Sequence, residues 1–132
     1  MKENREAVVT LRLPCDAQAP ARVRAALAEQ RELGWIIGDV MLVASELVTN
    51  AVLHSCGSVS HELHFTADVG EDRVRICVED PGVPAGVVTP LQISEFSDAG
   101  VGLLIVDHLA DRWGAARDGG YRVWAEFDLA GA

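Results

Sequence analysis

The chain has 132 residues, which is enough for one domain with a substantial apolar core. Its 20 acidic and 11 basic residues give a formal net charge of −9, and the basic residues are scattered along the sequence. Because nucleic-acid binding needs grouped lysines and arginines to neutralise phosphates, this composition argues against direct binding to DNA or RNA.

The first half of the sequence predicts one strand followed by two helices. Residues 7–13 form a β-branched run closed by Pro14, so we expect a strand there. Residues 19–33 are rich in Ala, Leu, Arg and Glu, and predict a helix with Gly34 as its C-cap. Residues 36–54 repeat apolar side chains at the 3.6-residue spacing of a second helix with one broad buried face.

The second half predicts one further helix and the rest of a sheet. Alternating apolar residues predict strands at residues 60–69 and 73–79. The segments on either side of the Gly119-Gly120 turn predict two more, at residues 115–117 and 121–129. Residues 80–100 have no periodicity, and a loop of that length is usually functional. The almost wholly apolar residues 101–110 predict a helix that Trp113 and Gly114 end.

This order of elements predicts the fold class. Two hairpins and helices with apolar faces favour an α+β fold, a two-layer α/β sandwich with a mainly antiparallel mixed sheet and helices on one face. A doubly wound sheet is disfavoured because the repeating βαβ unit is missing. We expect residues 1–132 to form a single domain.

The sequence also suggests the compartment. The N-terminus has no apolar signal region, and no run approaches 18 uninterrupted apolar residues, so we expect neither secretion nor membrane insertion. Three widely spaced cysteines without a CxxC pair suggest reduced thiols in a cytoplasmic protein. His61 and His64 fall on opposite faces of a predicted strand, which disfavours a shared metal.

The second helix contains the most informative polar residues. Glu46 and Asn50 lie one turn apart along the edge of its apolar face, with Asp39 on the same edge. A carboxylate there can accept a proton, and a carboxamide oxygen can bind a hard cation. The alternative is a pair of ordinary surface groups on an amphipathic helix.

Two further motifs flank the long loop. Asp80-Pro81-Gly82 follows a predicted strand, where the aspartate can accept a hydrogen bond from an exocyclic amine and the glycine admits a flat ring. The alternative is a simple turn. Gly100-Val101-Gly102-Leu103 opens the third helix, where free N–H groups and the helix dipole suit phosphate oxygens. No Walker A lysine follows, so a P-loop is excluded.

The order and spacing of these motifs resemble the GHKL ATP-binding fold over residues 19–129. The stretches SELVTNAVLHS, GVGLLIVDHLADRWG and VWAEF are most similar to the anti-sigma-factor serine/threonine kinases, including the stand-alone members of actinomycetes. The resemblance implies that Asn50 holds Mg²⁺ and that Glu46 is the catalytic base. It implies nucleotide contacts from Asp80 and Gly82 to the adenine and from Gly100, Val101, Gly102 and Leu103 to the phosphates, under an ATP lid at residues 84–99.

The function implied by the resemblance is that of a cytoplasmic ATP-dependent kinase. It would transfer the γ-phosphate of ATP to a serine of a STAS-type anti-sigma-factor antagonist, and it would bind a sigma factor. Dimers are common among these relatives, but the sequence leaves a homodimer open. The chain differs from the family pattern at Val101, where many relatives have arginine, in the Pro-Gly-Val-Pro loop, and at Tyr121 and Arg122. The alternative is therefore a non-catalytic ATP-binding module that sequesters a partner.

Overall fold

The protein is built around one antiparallel sheet. The structure is a computed structural model that describes residues 6–55, 62–80, 89–90, 100–117 and 121–129. Within these ranges six strands pair in the order β1-β2-β3-β6-β5-β4, and every pairing is antiparallel. The strands are β1 (Glu6–Pro14), β2 (Glu62–Val69), β3 (Arg73–Asp80), β4 (Thr89–Pro90), β5 (Arg112–Arg117) and β6 (Tyr121–Asp128).

Helices cover one face of this sheet. They are α1 (Ala19–Ala28), α2 (Ile37–Ser55) and α3 (Gly100–Leu109), with a 3₁₀ segment at Arg31–Ile36. The central helix, α2, packs against α1, α3 and strands β3 and β6. The predicted α+β sandwich is confirmed, and α2 lies within one residue of its predicted ends.

The core follows from the two periodicities of the sequence. Side chains alternate across a strand, so every second residue of the central strands points toward the helices. The fully buried ones on β2, β3 and β6 are Leu63, Phe65, Ala67, Val74, Ile76, Val78, Val123, Ala125 and Phe127. On α2, Leu47 and Ala51 are fully buried, as expected for residues at the centre of its apolar stripe.

The first helix is shorter than predicted. It ends at Ala28 with Glu29 as its C-cap, and residues up to Ile36 form the 3₁₀ segment. Gly34 lies inside that segment with φ 51°, a left-handed value that glycine adopts without a Cβ penalty. The prediction that Gly34 caps a helix over residues 19–33 is therefore wrong, because the glycine redirects the chain between α1 and α2.

The boundary after α3 was also predicted wrongly. Trp113 and Gly114 do not end the helix but belong to β5, which begins at Arg112. Gly114 pairs with Trp124 of β6, and a Cβ on Gly114 would lie 2.9 Å from Cζ2 of the indole. The glycine is thus required by a ring that lies against the β5 backbone, a contact that local sequence patterns do not reveal.

The apolar stretch Arg31–Leu53 is long and apolar enough, by length and composition alone, to cross a membrane. In the fold its apolar stripe packs on the sheet and on two helices. That packing is typical of the central helix of a globular core, which passes the same length and composition test.

The cysteines differ from expectation. Cys15, just after β1, is disulfide-bonded, which corrects the prediction of three reduced thiols. Cys77 on β3 is a free thiol, and burial raises its pKa to about 11. A thiol with that pKa holds its proton at neutral pH and is a poor nucleophile.

The face of the sheet away from the helices has an ion-pair network centred on Glu126. Arg75 and Arg112 each donate to the Glu126 carboxylate at 2.9 Å, and an Arg73 guanidinium nitrogen lies 3.6 Å from it. Arg112 also pairs with Asp128. We define these five residues as the outer-face network; they gather arginines that are scattered in the sequence and pair them with carboxylates.

The network changes the pKa of its carboxyl groups. Burial raises the pKa of Glu126, but hydrogen bonds from Arg112 and Arg75 outweigh burial and hold that pKa below its ordinary value. The hydrogen bond from Arg112 likewise lowers the pKa of Asp128. Both groups are therefore ionised in the folded protein at neutral pH.

Candidate nucleotide site

One edge of α2 contributes the first part of the candidate site. Glu46 is half-buried there, and Asn50, one turn later, is only 1% exposed. Asp39, predicted on the same edge, is exposed at the first turn of the helix. The carboxylate and the carboxamide therefore border the interior, whereas Asp39 faces solvent.

Asn50 is an unusual buried residue. Among the described residues, neither its side-chain nitrogen nor its oxygen has a hydrogen-bond partner. A buried amide without partners costs about 1–3 kcal/mol, and native proteins keep few such groups. A functional ligand that pairs with this side chain is the simplest physical reason for retaining it.

Asp80 forms the second part of the candidate site. It is the last residue of β3, on the strand face that carries Val74, Ile76 and Val78, and it is 5% exposed. Its carboxylate thus lies at the end of a buried strand on the helix side of the sheet. Gly82, predicted to lie under the adenine, is outside the described residues.

The third part is the beginning of α3. Gly100 is the first residue of that helix, so Gly100, Val101, Gly102 and Leu103 form its first turn. The first backbone N–H groups of a helix have no partner within it, and they carry the positive end of the helix dipole. Since α3 packs against α2, this turn belongs to the same helical layer as Glu46 and Asn50.

Two hydrogen bonds that sequence reasoning missed hold these helices in place. Trp113 of β5 donates its indole N–H to Asp107 of α3 at 3.0 Å, which ties the helix to the sheet. Arg24 of α1 donates to the Ser45 hydroxyl at 2.8 Å, next to Glu46 in the sequence. No local motif signals either pair, because the partners are brought together only by the fold.

The donor set fits a magnesium–nucleotide complex better than a protein-bound metal. Among the described residues no group of three His, Cys, Asp or Glu side chains could hold a metal ion. Mg²⁺ commonly takes one or two protein oxygens and completes its shell with phosphates and water. The unpaired Asn50 oxygen suits that role, and the α3 N-terminus suits the phosphates.

The antiparallel sheet with helices on one face defines the fold class as an α+β sandwich. The chain belongs to the family described as histidine kinase-like ATPase domain, which matches residues 15–127. The resemblance stated from the sequence is thereby confirmed at the level of the family.

The known proteins that are similar to this chain include the following two. An Anti-sigma F factor of Pasteuria penetrans is 36% identical over 84 residues, which cover 56% of this chain and 55% of that protein. The chain therefore spans about half the length of this curated relative. The crystal structure of the RsbU and RsbW domains of a Mycobacterium tuberculosis protein matches with a TM-score of 0.66 and 24% identity, over 92% of this chain and 32% of that one. This likeness shows the shared fold.

Proposed function

We propose that the protein binds Mg²⁺ and ATP and transfers the γ-phosphate to a serine of an anti-sigma-factor antagonist. The observation that carries the binding half is the buried Asn50 side chain, which is without a hydrogen-bond partner among the described residues. The ATPase family and the similarity to a protein named Anti-sigma F factor support the regulatory half.

Each residue has a defined part in this proposal. Asn50 would offer its oxygen to the ion, and the N–H groups of the first α3 turn would hold the phosphates. Asp80 would accept the hydrogen bond of the adenine amine. Magnesium supplies charge neutralisation of the phosphates, and positioning accounts for most of the acceleration of phosphoryl transfer.

Glu46 would act in the transfer itself. Its carboxylate takes the proton from the serine hydroxyl as the serine oxygen forms a bond to the γ-phosphorus. The bond from that phosphorus to the β–γ bridging oxygen breaks, and ADP leaves with the electron pair. Glu46 is half-buried on the same helix edge as Asn50, one turn away, and this position supports the proposal that it acts as the base beside the ion ligand.

Binding is tested by calorimetry with ATP and ADP, with and without Mg²⁺, for the wild type and Asn50→Ala. We expect binding in the micromolar range that depends on Mg²⁺ and is lost in Asn50→Ala. Absence of binding at millimolar nucleotide would contradict the proposal and favour a partner-binding protein that has lost nucleotide.

Transfer is tested with γ-labelled ATP and purified STAS-type antagonist proteins encoded in the same genome. We expect one to be labelled on serine by the wild type and not by Glu46→Ala, although Glu46→Ala still binds ATP. Equal labelling by both proteins would remove Glu46 from the mechanism. Nucleotide binding without any labelling would support the non-catalytic module that Val101 and the Pro-Gly-Val-Pro loop suggest.

A further inference from the structure

An apolar groove lies between α2 and α3 on the outside of the helical layer. It has a volume of about 380 Å³ and is lined by Leu42, Leu104, Ile105, His108 and Leu109; we call it the α2–α3 groove. Leu42 is 43% exposed and Leu104 is 57% exposed. Single exposed leucines are common on protein surfaces, so the groove is informative only because its two exposed leucines lie on neighbouring helices and its lining is almost wholly apolar.

The groove lies on the same two helices as the candidate nucleotide site. Leu42 lies one turn before Glu46 on α2, and residues four apart share a helix face. Leu104 lies one turn after Gly100 on α3, so the same two helices carry the groove, the proposed base and the proposed phosphate cradle. A protein that brings a hydroxyl to Glu46 would therefore also cover Leu42 and Leu104.

The charge around the groove restricts the occupant. Neither α2 nor α3 contains a lysine or an arginine. On α2, Asp39 precedes Leu42 by one turn and Glu46 follows it by one turn. The complementary surface is apolar at its centre with basic residues around it.

This charge disfavours two other occupants. Membrane surfaces that attract proteins are anionic and select lysine and arginine, which these helices lack. A second copy of the chain in an isologous contact would place the same acidic flanks against one another, which is repulsive.

We propose that the α2–α3 groove docks the acceptor protein of the kinase through an apolar patch rimmed by basic residues. The proposal rests on the proposed function, since it assigns the surface that aligns the acceptor serine with Glu46. The groove supplies affinity for the acceptor and does not contact the nucleotide.

The test combines cross-linking with kinetics on the full chain. A photoreactive benzoylphenylalanine replaces Leu42, Leu104 or, as a matched control, Leu53, an exposed leucine of α2 that does not line the groove. Each variant is irradiated with purified STAS-type antagonist proteins from the same genome. In parallel, Leu42→Asn, Leu104→Asn and Leu53→Asn are assayed for serine labelling and for ATP binding.

We expect cross-links to one antagonist from positions 42 and 104 and none from position 53. The two groove variants should raise the KM for that antagonist by about tenfold, the loss typical of an exposed apolar anchor at an interface, without a change in ATP affinity. Leu53→Asn should behave as the wild type.

The outcomes separate this proposal from the proposed function. Serine labelling with unchanged KM in both groove variants, and no cross-links from the groove, would overturn the docking surface and leave the kinase in place. Cross-links from the groove without labelling would support docking and refute the kinase. Cross-links between two copies of the chain, or no cross-link and no labelling with any antagonist, would overturn the docking proposal.

Discussion

The two faces of the sheet treat buried polar groups in opposite ways. On the outer face, Glu126 is buried but receives hydrogen bonds from Arg75 and Arg112 and lies near Arg73. On the helix side, Asn50 is still less accessible than Glu126, yet among the described residues its amide has no partner. A satisfied polar group stabilises a fold, whereas an unsatisfied one reduces stability.

This difference indicates what each face does. The outer-face network is a structural device that fixes the register of β3, β5 and β6, because its members lie on those three strands. The helix-side amide, without a partner among the described residues, reduces stability, and under the proposed function it is retained because it binds the ion. If so, substitutions on the two faces should affect different measurements.

Asn50→Leu should give the largest effect and should act in two directions. We expect Mg²⁺-dependent ATP affinity to fall about 100-fold or more, a loss of about 2.7 kcal/mol. We also expect the nucleotide-free variant to be more stable than the wild type by about 1 kcal/mol, because an unpaired buried amide is replaced by an apolar side chain of similar size. Calorimetry and urea unfolding measure the two quantities.

The neighbouring Thr49→Val serves as the control for Asn50→Leu, since Thr49 is half-buried on the same helix and lies about 100° around the helix axis from Asn50. It should leave ATP affinity unchanged. A loss of stability in Asn50→Leu would show that the amide has a partner in the free protein and would weaken the functional interpretation.

Glu126→Ala should give the next largest effect, and on stability alone. Removing the carboxylate leaves Arg73, Arg75 and Arg112 without their shared partner. Because these arginines are partly exposed and can be rehydrated, we expect a loss of about 2 kcal/mol, which is below the 3–5 kcal/mol typical of a broken buried pair. Urea unfolding measures the loss, and ATP affinity should not change.

Glu79→Ala is the matched control on the same face. Glu79 and Arg122 form an exposed pair at 3.9 Å, which should contribute less than about 0.5 kcal/mol. Equal losses of unfolding free energy in Glu79→Ala and Glu126→Ala would show that the outer-face network stabilises the fold no more than an ordinary surface ion pair does.

The sequence predicted the elements that depend on local patterns. The alternation of Leu63, Phe65 and Ala67 correctly placed their strand face in the core, and the 3.6-residue spacing located α2 within one residue. It also placed Glu46 and Asn50 on one helix edge. What it could not predict depends on distant partners, because no short window contains both members of the Trp113–Asp107 or Arg75–Glu126 pair.

The same limitation explains the errors. Gly34 looked like a helix cap because a glycine after an Ala- and Leu-rich run commonly is one. Gly114 looked like a helix end, although its requirement arises from Trp124, ten residues later on the neighbouring strand. The sequence predicted only that Asn50 lies at the edge of the apolar stripe of α2. Its full burial and its lack of hydrogen-bond partners among the described residues became visible only in the folded structure.

Gly114→Ala tests the packing of the outer face. The new methyl group would lie 2.9 Å from the Trp124 ring, over which the Arg75 guanidinium stacks at 4.6 Å from the centroid. The ring must shift, so we expect a loss of about 1 kcal/mol in unfolding free energy and a changed tryptophan emission.

Gly38→Ala is the control: open space surrounds Gly38 on α2, and alanine should stabilise that helix by about 0.5–1 kcal/mol. Destabilisation by both substitutions would show that the indole contact is not the cause.

The smallest effect should be the pH dependence of the outer-face network. The pKa of Glu126 is lower in the folded protein than its ordinary value of 4.5, so its ionised form favours folding. That contribution is complete above pH 4.5 and is lost as the pH falls through the lower folded pKa.

Glu126→Gln removes the titrating group while keeping its size and one oxygen acceptor. The stability difference between wild type and Glu126→Gln should therefore be constant from pH 7 to pH 5 and should shrink below about pH 4.5, as measured by urea unfolding at each pH. A difference that stays constant down to pH 3 would mean that neutral hydrogen bonding, rather than the charge of Glu126, holds the three strands in register.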